Sequence, residues 1–173
     1  MPNQIVKKIG IDFGGVLSIH DNGDAEHKNT FMNMPNALSS LEQLKNDGHE
    51  LYLISFCGKN RAIETHQSIK DNNADHFIEQ YYVSDKKNKS QICKKIGCHF
   101  MIDDQIPILD NVRMVNPNII TILFGQNNHP VHKCAKDWSE ALKIICESEV
   151  KEIKPELSLD VKKLIYNVKS FHK

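Results

Sequence analysis

The chain has 173 residues, of which 40% are hydrophobic, 7% aromatic and 25% charged, with 22 basic side chains balancing 22 acidic ones. These fractions fit one soluble globular domain with a sizeable core and exclude a disordered chain or a fibre. Zero net charge argues against a general nucleic-acid or membrane-surface binder, which needs a basic excess. No apolar run approaches the roughly 18–20 residues of a membrane span, and the stretch Met1 to Lys8 has no apolar segment before a cleavage site, so a cytoplasmic protein with no membrane partner is expected. The cysteines (Cys57, Cys93, Cys98, Cys134, Cys146) are odd in number, and without a secretory signal they read as reduced thiols.

Apolar runs alternate with segments of helical period from end to end, the pattern of a parallel α/β sheet. The first run, Ile5 to Asp12, stops abruptly at an acid and, after Phe13, at Gly14-Gly15. Residues 20–34 are polar and irregular. Pro35 then opens a helix with Ala37, Leu38, Leu41 and Leu44 on one face, ended by Asp47-Gly48. Glu50 to Ser55 is a second strand, and residues 59–72 a helix with Ala62, Ile63, His66 and Ile69 at helical spacing. Tyr81 to Ser84 is a third strand, and Lys89 to Gly97 a helix stopped by its glycine. His99 to Ile102 is a fourth strand, running into Asp103-Asp104, and a short helix carries Ile106, Ile108, Leu109 and Val112. Asn118 to Phe124 is a fifth strand, and residues 135–147 an amphipathic helix with Trp138, Ala141, Leu142 and Ile145. The expected architecture is a three-layer α/β/α sandwich around a parallel sheet of about five strands, spanning residues 1–150. After Pro155 a Lys-rich segment with an apolar stripe predicts a further helix, so that 151–173 forms a helical extension on the domain or on a partner, a second copy of the chain included.

In an open α/β sheet, ligands bind beyond the carboxyl ends of the strands. Asp12, Ser55, the lysines after Ser84 and Asp103-Asp104 all fall at such ends. Clustered carboxylates repel unless a cation neutralises them, and Mg²⁺ prefers oxygen ligands. A hydroxyl and an ammonium beside them suit a phosphate, so these residues together suit phosphoryl transfer.

With these four segments in this order, the chain resembles the haloacid dehalogenase (HAD) superfamily. Ile9-Gly10-Ile11-Asp12-Phe13-Gly14-Gly15-Val16 resembles its first motif, Leu51 to Ser55 its second, Lys89 its third and Phe100 to Asp104 its fourth. The resemblance covers residues 5–147. It implies a Mg²⁺-dependent phosphatase acting on a small-molecule phosphomonoester. Asp12 would be the nucleophile; Asp12, the carbonyl of Gly14, Asp103 and Asp104 would serve the metal. Ser55 and Lys89 would hold the phosphate, with the amides of Phe13 and Gly14 cradling it and Cys57 close by. Lys86 and Lys87 compete with Lys89 for the motif position. The short interval from Lys89 to Asp103 is similar to the 5′(3′)-deoxyribonucleotidase-like branch, which makes a nucleotide the first substrate to try. The gap between Asp12 and Ser55 has room for a helix and a loop but no folded cap, which implies an open site.

One position departs from the motif. Two residues after the nucleophile the family's phosphatases carry an Asp as general acid and base, and this chain has Gly14. Such catalysis typically contributes about 10²–10⁴-fold. Three readings stay open: a phosphatase in which water or another side chain supplies the proton, carbon–phosphorus or carbon–halogen chemistry, and a pseudoenzyme that binds without turnover. His20, Asp21 and Asp24 are either a replacement acid source or a solvated loop. Cys57 would need a cationic neighbour such as Lys59 or Arg61 to act as a thiolate; both also read as a solvated helix start. His129, His132 and Cys134 have zinc-ligand chemistry without a second pair at suitable spacing, and a polar loop explains them more simply.

Overall fold

A computed structural model describes residues 5–19 and 30–169. The strands β1 (Lys8–Ile11), β2 (Glu50–Phe56), β3 (Glu79–Val83), β4 (Phe100–Asp103), β5 (Ile120–Phe124) and β6 (Lys133–Ala135) form one sheet in the order β3-β2-β1-β4-β5-β6. Every neighbouring pair is parallel. A parallel sheet is covered on both faces, which is why its strands are apolar runs and not alternating ones. In β2, Leu51 and Leu53 face one core with α1 (Ala37–Asn46), α2 (Lys59–Asp71) and α5 (Trp138–Glu147). Tyr52 and Ile54 face the other, with α3 (Asn88–Ile96) and α4 (Ile106–Val115). β1 lies mid-sheet, and a Cβ on its Gly10 would come within 2.9 Å of both Ile54 Cδ1 and Met101 Sδ. Glycine there lets both side chains close over the central strand.

The expected three-layer sandwich is present, with six strands where about five were expected. The additional strand, β6, sits in the polar stretch around His132 and Cys134; it has three residues, and only Ala135 is buried. Gly97, in the left-handed conformation (φ 75°), ends α3 as expected.

The C-terminal segment corrects its expectation. It packs on the domain, but its described part holds one 3₁₀ turn, Lys162–Leu164, and no α-helix. Ile153 and Val161 join the second core, with Leu159, Leu164 and Ile165 against it. Ile165 forms an antiparallel bridge to Val83, Ser84 N donates to Leu164 O at 3.1 Å, and Tyr166 N donates to Tyr82 O at 2.9 Å. β3 is an edge strand with backbone groups to satisfy, and this strap satisfies some of them.

Candidate active site

The carboxyl ends of β1, β2 and β4 converge. The backbone of Asp12 extends the ladder by one bond, its N–H donating to Ile102 O at 3.0 Å. The chain then turns tightly, with Leu17 N and Ser18 N both donating to Phe13 O at 2.8 and 3.0 Å and Gly15 at φ 79°. Trp138 Nε1 pins this turn by donating to Val16 O at 2.8 Å. The buried Phe13 side chain anchors it to the first core. Asp12 is thereby held at the floor of a polar pocket of about 160 Å³, which Gly14, Ser55, Cys57 and Lys89 also line.

Lys89 is 1% exposed, and its Nζ donates to Asp12 Oδ1 at 2.8 Å and to Asp103 Oδ2 at 2.7 Å. Lys86 and Lys87 are exposed. The geometry therefore selects Lys89 as the lysine of the cluster: it sits inside the first turn of α3, which turns it inward. Asp103 Oδ1 in turn accepts from Gln105 N at 3.0 Å, which fixes the carboxylate plane.

Charge is unbalanced here. Asp12, Asp103 and Asp104 each offer a carboxylate oxygen, all within 4.8 Å of one another, the only such cluster among the described residues. Burial, and then the charge of Asp103, push Asp12 up to about 8 against the pull of Lys89. Asp103 is also raised, chiefly by burial. Burial opposes the charge on Lys89, but Asp12 and Asp103 together outweigh it and keep the ammonium protonated. One ammonium among three carboxylates leaves room for a further cation, and an all-oxygen donor set suits a hard divalent ion. The residues present thus fit Mg²⁺.

Ser55 is buried and lines the pocket beside Cys57. Burial pushes the Cys57 thiol up to about 11, so it stays protonated and is a poor nucleophile. Arg61, Thr65 and Gln105 also line the pocket. Thr65 and Gln105 escaped the sequence reading. For Arg61 the available signal was position: only Phe56, Cys57 and Gly58 separate Ser55 from α2, so the first turn of that helix overhangs the strand end. His20, Asp21 and Asp24 lie outside the described residues. The zinc alternative has no support, because both ring nitrogens of His132 are engaged, Nδ1 with Thr121 Oγ1 at 2.6 Å and Nε2 with Asp110 Oδ1 at 2.8 Å. His129 Nδ1 accepts from the backbone of Val131 and of His132, both at 3.1 Å.

At the level of sequence, no protein-family model and no curated protein matches the chain. Its fold does match solved structures, among them a hydrolase described as belonging to the HAD superfamily. A D,D-heptose bisphosphate phosphatase from B. bronchiseptica, solved with magnesium and phosphate, superposes with a TM-score of 0.65 over 82% of this chain and 99% of that one, at 11% identity. A HAD-superfamily hydrolase from Ehrlichia chaffeensis matches with a TM-score of 0.58 at 11% identity, over 83% of this chain and 98% of its own. The cobalt-bound deoxy-D-mannose-octulosonate 8-phosphate phosphatase from Haemophilus influenzae gives 0.51 at 11% identity, covering 82% and 88%. At these identities the likeness is one of fold. Among the described residues, no helix is long and apolar enough to cross a membrane.

Proposed function

We propose that the chain is a Mg²⁺-dependent phosphatase that hydrolyses a small phosphomonoester through an aspartyl-phosphate on Asp12. The observation that carries this reading is the buried Lys89 bridging Asp12 and Asp103 at the floor of a polar pocket. The solved neighbours support it, two of the three described above being phosphatases. Asp12, Asp103, Asp104 and the carbonyl of Gly14 would hold Mg²⁺, which would offset the charge of the phosphate against the carboxylates. Lys89 orients Asp12, works against the rise in its pKa, and gives the transferring oxygens a cationic donor. Ser55 and the amides of Phe13 and Gly14 supply neutral donors. The Asp12 carboxylate attacks phosphorus, and the bond to the leaving oxygen breaks. The departing alkoxide takes a proton from water, and a second water then cleaves the aspartyl-phosphate, freeing phosphate, restoring Asp12 and returning that proton.

A nucleotide is the substrate to test first, because the interval from Lys89 to Asp103 resembles that of the nucleotidase-like branch. One observation favours a second reading: Gly14 has no side chain where the family's phosphatases carry their acid. On that reading the pocket binds a phosphate ligand without turnover. Hydrolysis of an aryl phosphate and of a nucleoside monophosphate panel, with Mg²⁺ and with EDTA, beside Asp12→Asn, separates the two. Turnover that needs both Mg²⁺ and Asp12 establishes the phosphatase; equal rates for wild type and mutant overturn it in favour of the second reading.

A further inference from the structure

Asp12 lies at the floor of its pocket, and in-line displacement puts the leaving oxygen on the far side of phosphorus, at the mouth. Negative charge develops on that oxygen as its bond to phosphorus breaks. Gly14 has no side chain to meet it. A donor held ready at such an oxygen lowers the barrier to departure, more so the more charge forms there.

The fold brings an ammonium to this point from outside the pocket. A larger cavity, of about 570 Å³, adjoins it, and Phe56 and Ile108 line both. Gln105, just after β4, lines the Asp12 pocket, and Lys86, in the loop before α3, lines the larger cavity. The two side chains meet across the boundary, Lys86 Nζ donating to Gln105 Oε1 at 3.2 Å. Nζ also lies 5.5 Å from the centre of the Phe56 ring, within cation–π range. Both partners are themselves fixed. Gln105 N donates to Asp103 Oδ1 at 3.0 Å, and Phe56 is in register with Val83 at the end of β2. The backbone of Lys86 belongs to the turn that delivers the buried lysine, Lys89 N donating to Lys86 O at 3.3 Å. An ammonium has three N–H donors and no acceptor, so Gln105 occupies one and leaves others for a substrate oxygen.

We infer that Lys86 is the leaving-group residue of this site, its ammonium donating to the ester oxygen as that oxygen departs, and that Gln105 is the positioning residue that holds it there. The inference rests on the phosphatase reading and adds the donor that Gly14 lacks. The proton that completes the alcohol still comes from water, and Lys86 remains an ammonium throughout. Arg61, in the first turn of α2, also lines the pocket and is the rival cation.

The test is kcat/KM with Mg²⁺ for 4-nitrophenyl, phenyl and benzyl phosphate, which are similar in shape and successively poorer leaving groups. This ratio reports the steps up to departure of the alcohol, so slow hydrolysis of the aspartyl-phosphate does not mask the result. Lys86→Met lowers it by about 10²-fold for benzyl phosphate and by only a few-fold for 4-nitrophenyl phosphate, whose oxygen carries less charge as it departs. Gln105→Leu tilts the series the same way by a smaller factor, and Lys86→Arg restores most of the benzyl phosphate rate. Inorganic phosphate, which has no ester oxygen, inhibits wild type and Lys86→Met alike. Lys86 is exposed, so its replacement leaves the fold in place. An equal loss on all three esters, or no loss, overturns the inference. So does a leaving-group dependence that appears in Arg61→Met and not in Lys86→Met. Absence of Asp12-dependent turnover on every ester overturns the phosphatase reading, and the leaving-group role with it.

Discussion

The two ends of the sheet both bury titratable side chains around β1, β2 and β4, and they satisfy them in opposite ways. At the amino end, His49 and His99 stand immediately before β2 and β4. Their Nδ1 atoms accept the backbone N–H groups of Lys7 at 3.2 Å and Lys8 at 2.9 Å. Each ring needs to be neutral to accept, and burial together with the nearby lysine ammoniums lowers both pKa values. Donor and acceptor match one to one. At the carboxyl end, Lys89 faces Asp12 and Asp103 with Asp104 adjacent, and the acids are pushed up. A fold that can settle its polar groups so tidily at one end leaves charge unbalanced at the other. That difference marks the carboxyl end as built for a ligand, at a cost in stability.

The largest expected effect is on turnover. Asp12→Asn removes the proposed nucleophile, and phosphomonoester hydrolysis should fall by about 10³-fold or more. If the charge imbalance is as described, the same substitution raises the thermal midpoint in EDTA, because Lys89 then faces a matched carboxylate in Asp103. A fall in midpoint would show instead that Asp12 is a net stabilising partner, and the contrast between the two ends would disappear.

Lys89→Met should do the reverse to stability. It leaves Asp12 and Asp103 buried without their cation, and breaking a buried pair from one side typically costs about 3–5 kcal/mol. Denaturant unfolding measures this directly. A loss below about 1 kcal/mol would mean that water or protonation already relieves the two acids.

Divalent-ion binding is the third way to sharpen the comparison. Mg²⁺ at about 100 times its Kd stabilises a folded protein by about 2.7 kcal/mol. The midpoint should therefore rise by several degrees with Mg²⁺ for wild type, and the rise should vanish in Asp103→Asn. A rise that survives in the mutant places the ion elsewhere.

The carboxyl end was the more legible of the two in the amino-acid sequence, for a physical reason. Apolar strands interrupted by Asp12, Ser55 and Asp103-Asp104 break the hydrophobic pattern where a buried sheet has no structural need for polarity. Lys89 was legible only as one of three lysines, because selection among them depends on where α3 begins and which way its first turn faces. The cavity behind Phe56 was invisible, since it is formed by the end of β2, the loop before α3 and the start of α4, segments far apart in the chain. β6 and the C-terminal strap escaped because each is held by a neighbouring strand's backbone and not by a periodicity of its own.

The amino end, where the histidines carried no motif, yields the smallest prediction and the cleanest sign. His49 and His99 have pKa values below the ordinary 6.5 in the folded chain. Between that lowered value and 6.5 the unfolded chain binds more protons than the folded one, so stability rises with pH across the window. The contribution is complete above 6.5 and is lost as pH falls towards the folded pKa, when protonated rings can no longer accept from Lys7 and Lys8. Replacing either histidine by alanine should cost about 1 kcal/mol at pH 7.5, the worth of one hydrogen bond. The double replacement should flatten the slope of stability between pH 7 and 5, measured by urea unfolding in EDTA. Because Lys7 Nζ also donates to the carbonyl of Ser148 at 3.1 Å, just past the end of α5, Lys7→Met is the control for its charge. It relieves the electrostatic pressure on His49 without removing the ring, and should narrow the pH window and lessen the acid loss by raising the folded pKa towards 6.5, while leaving the backbone hydrogen bond to His49 in place. If the slope is unchanged in the double replacement, the histidines titrate alike in the folded and unfolded chains, and the tidy pairing at this end of the sheet is not what sets its stability.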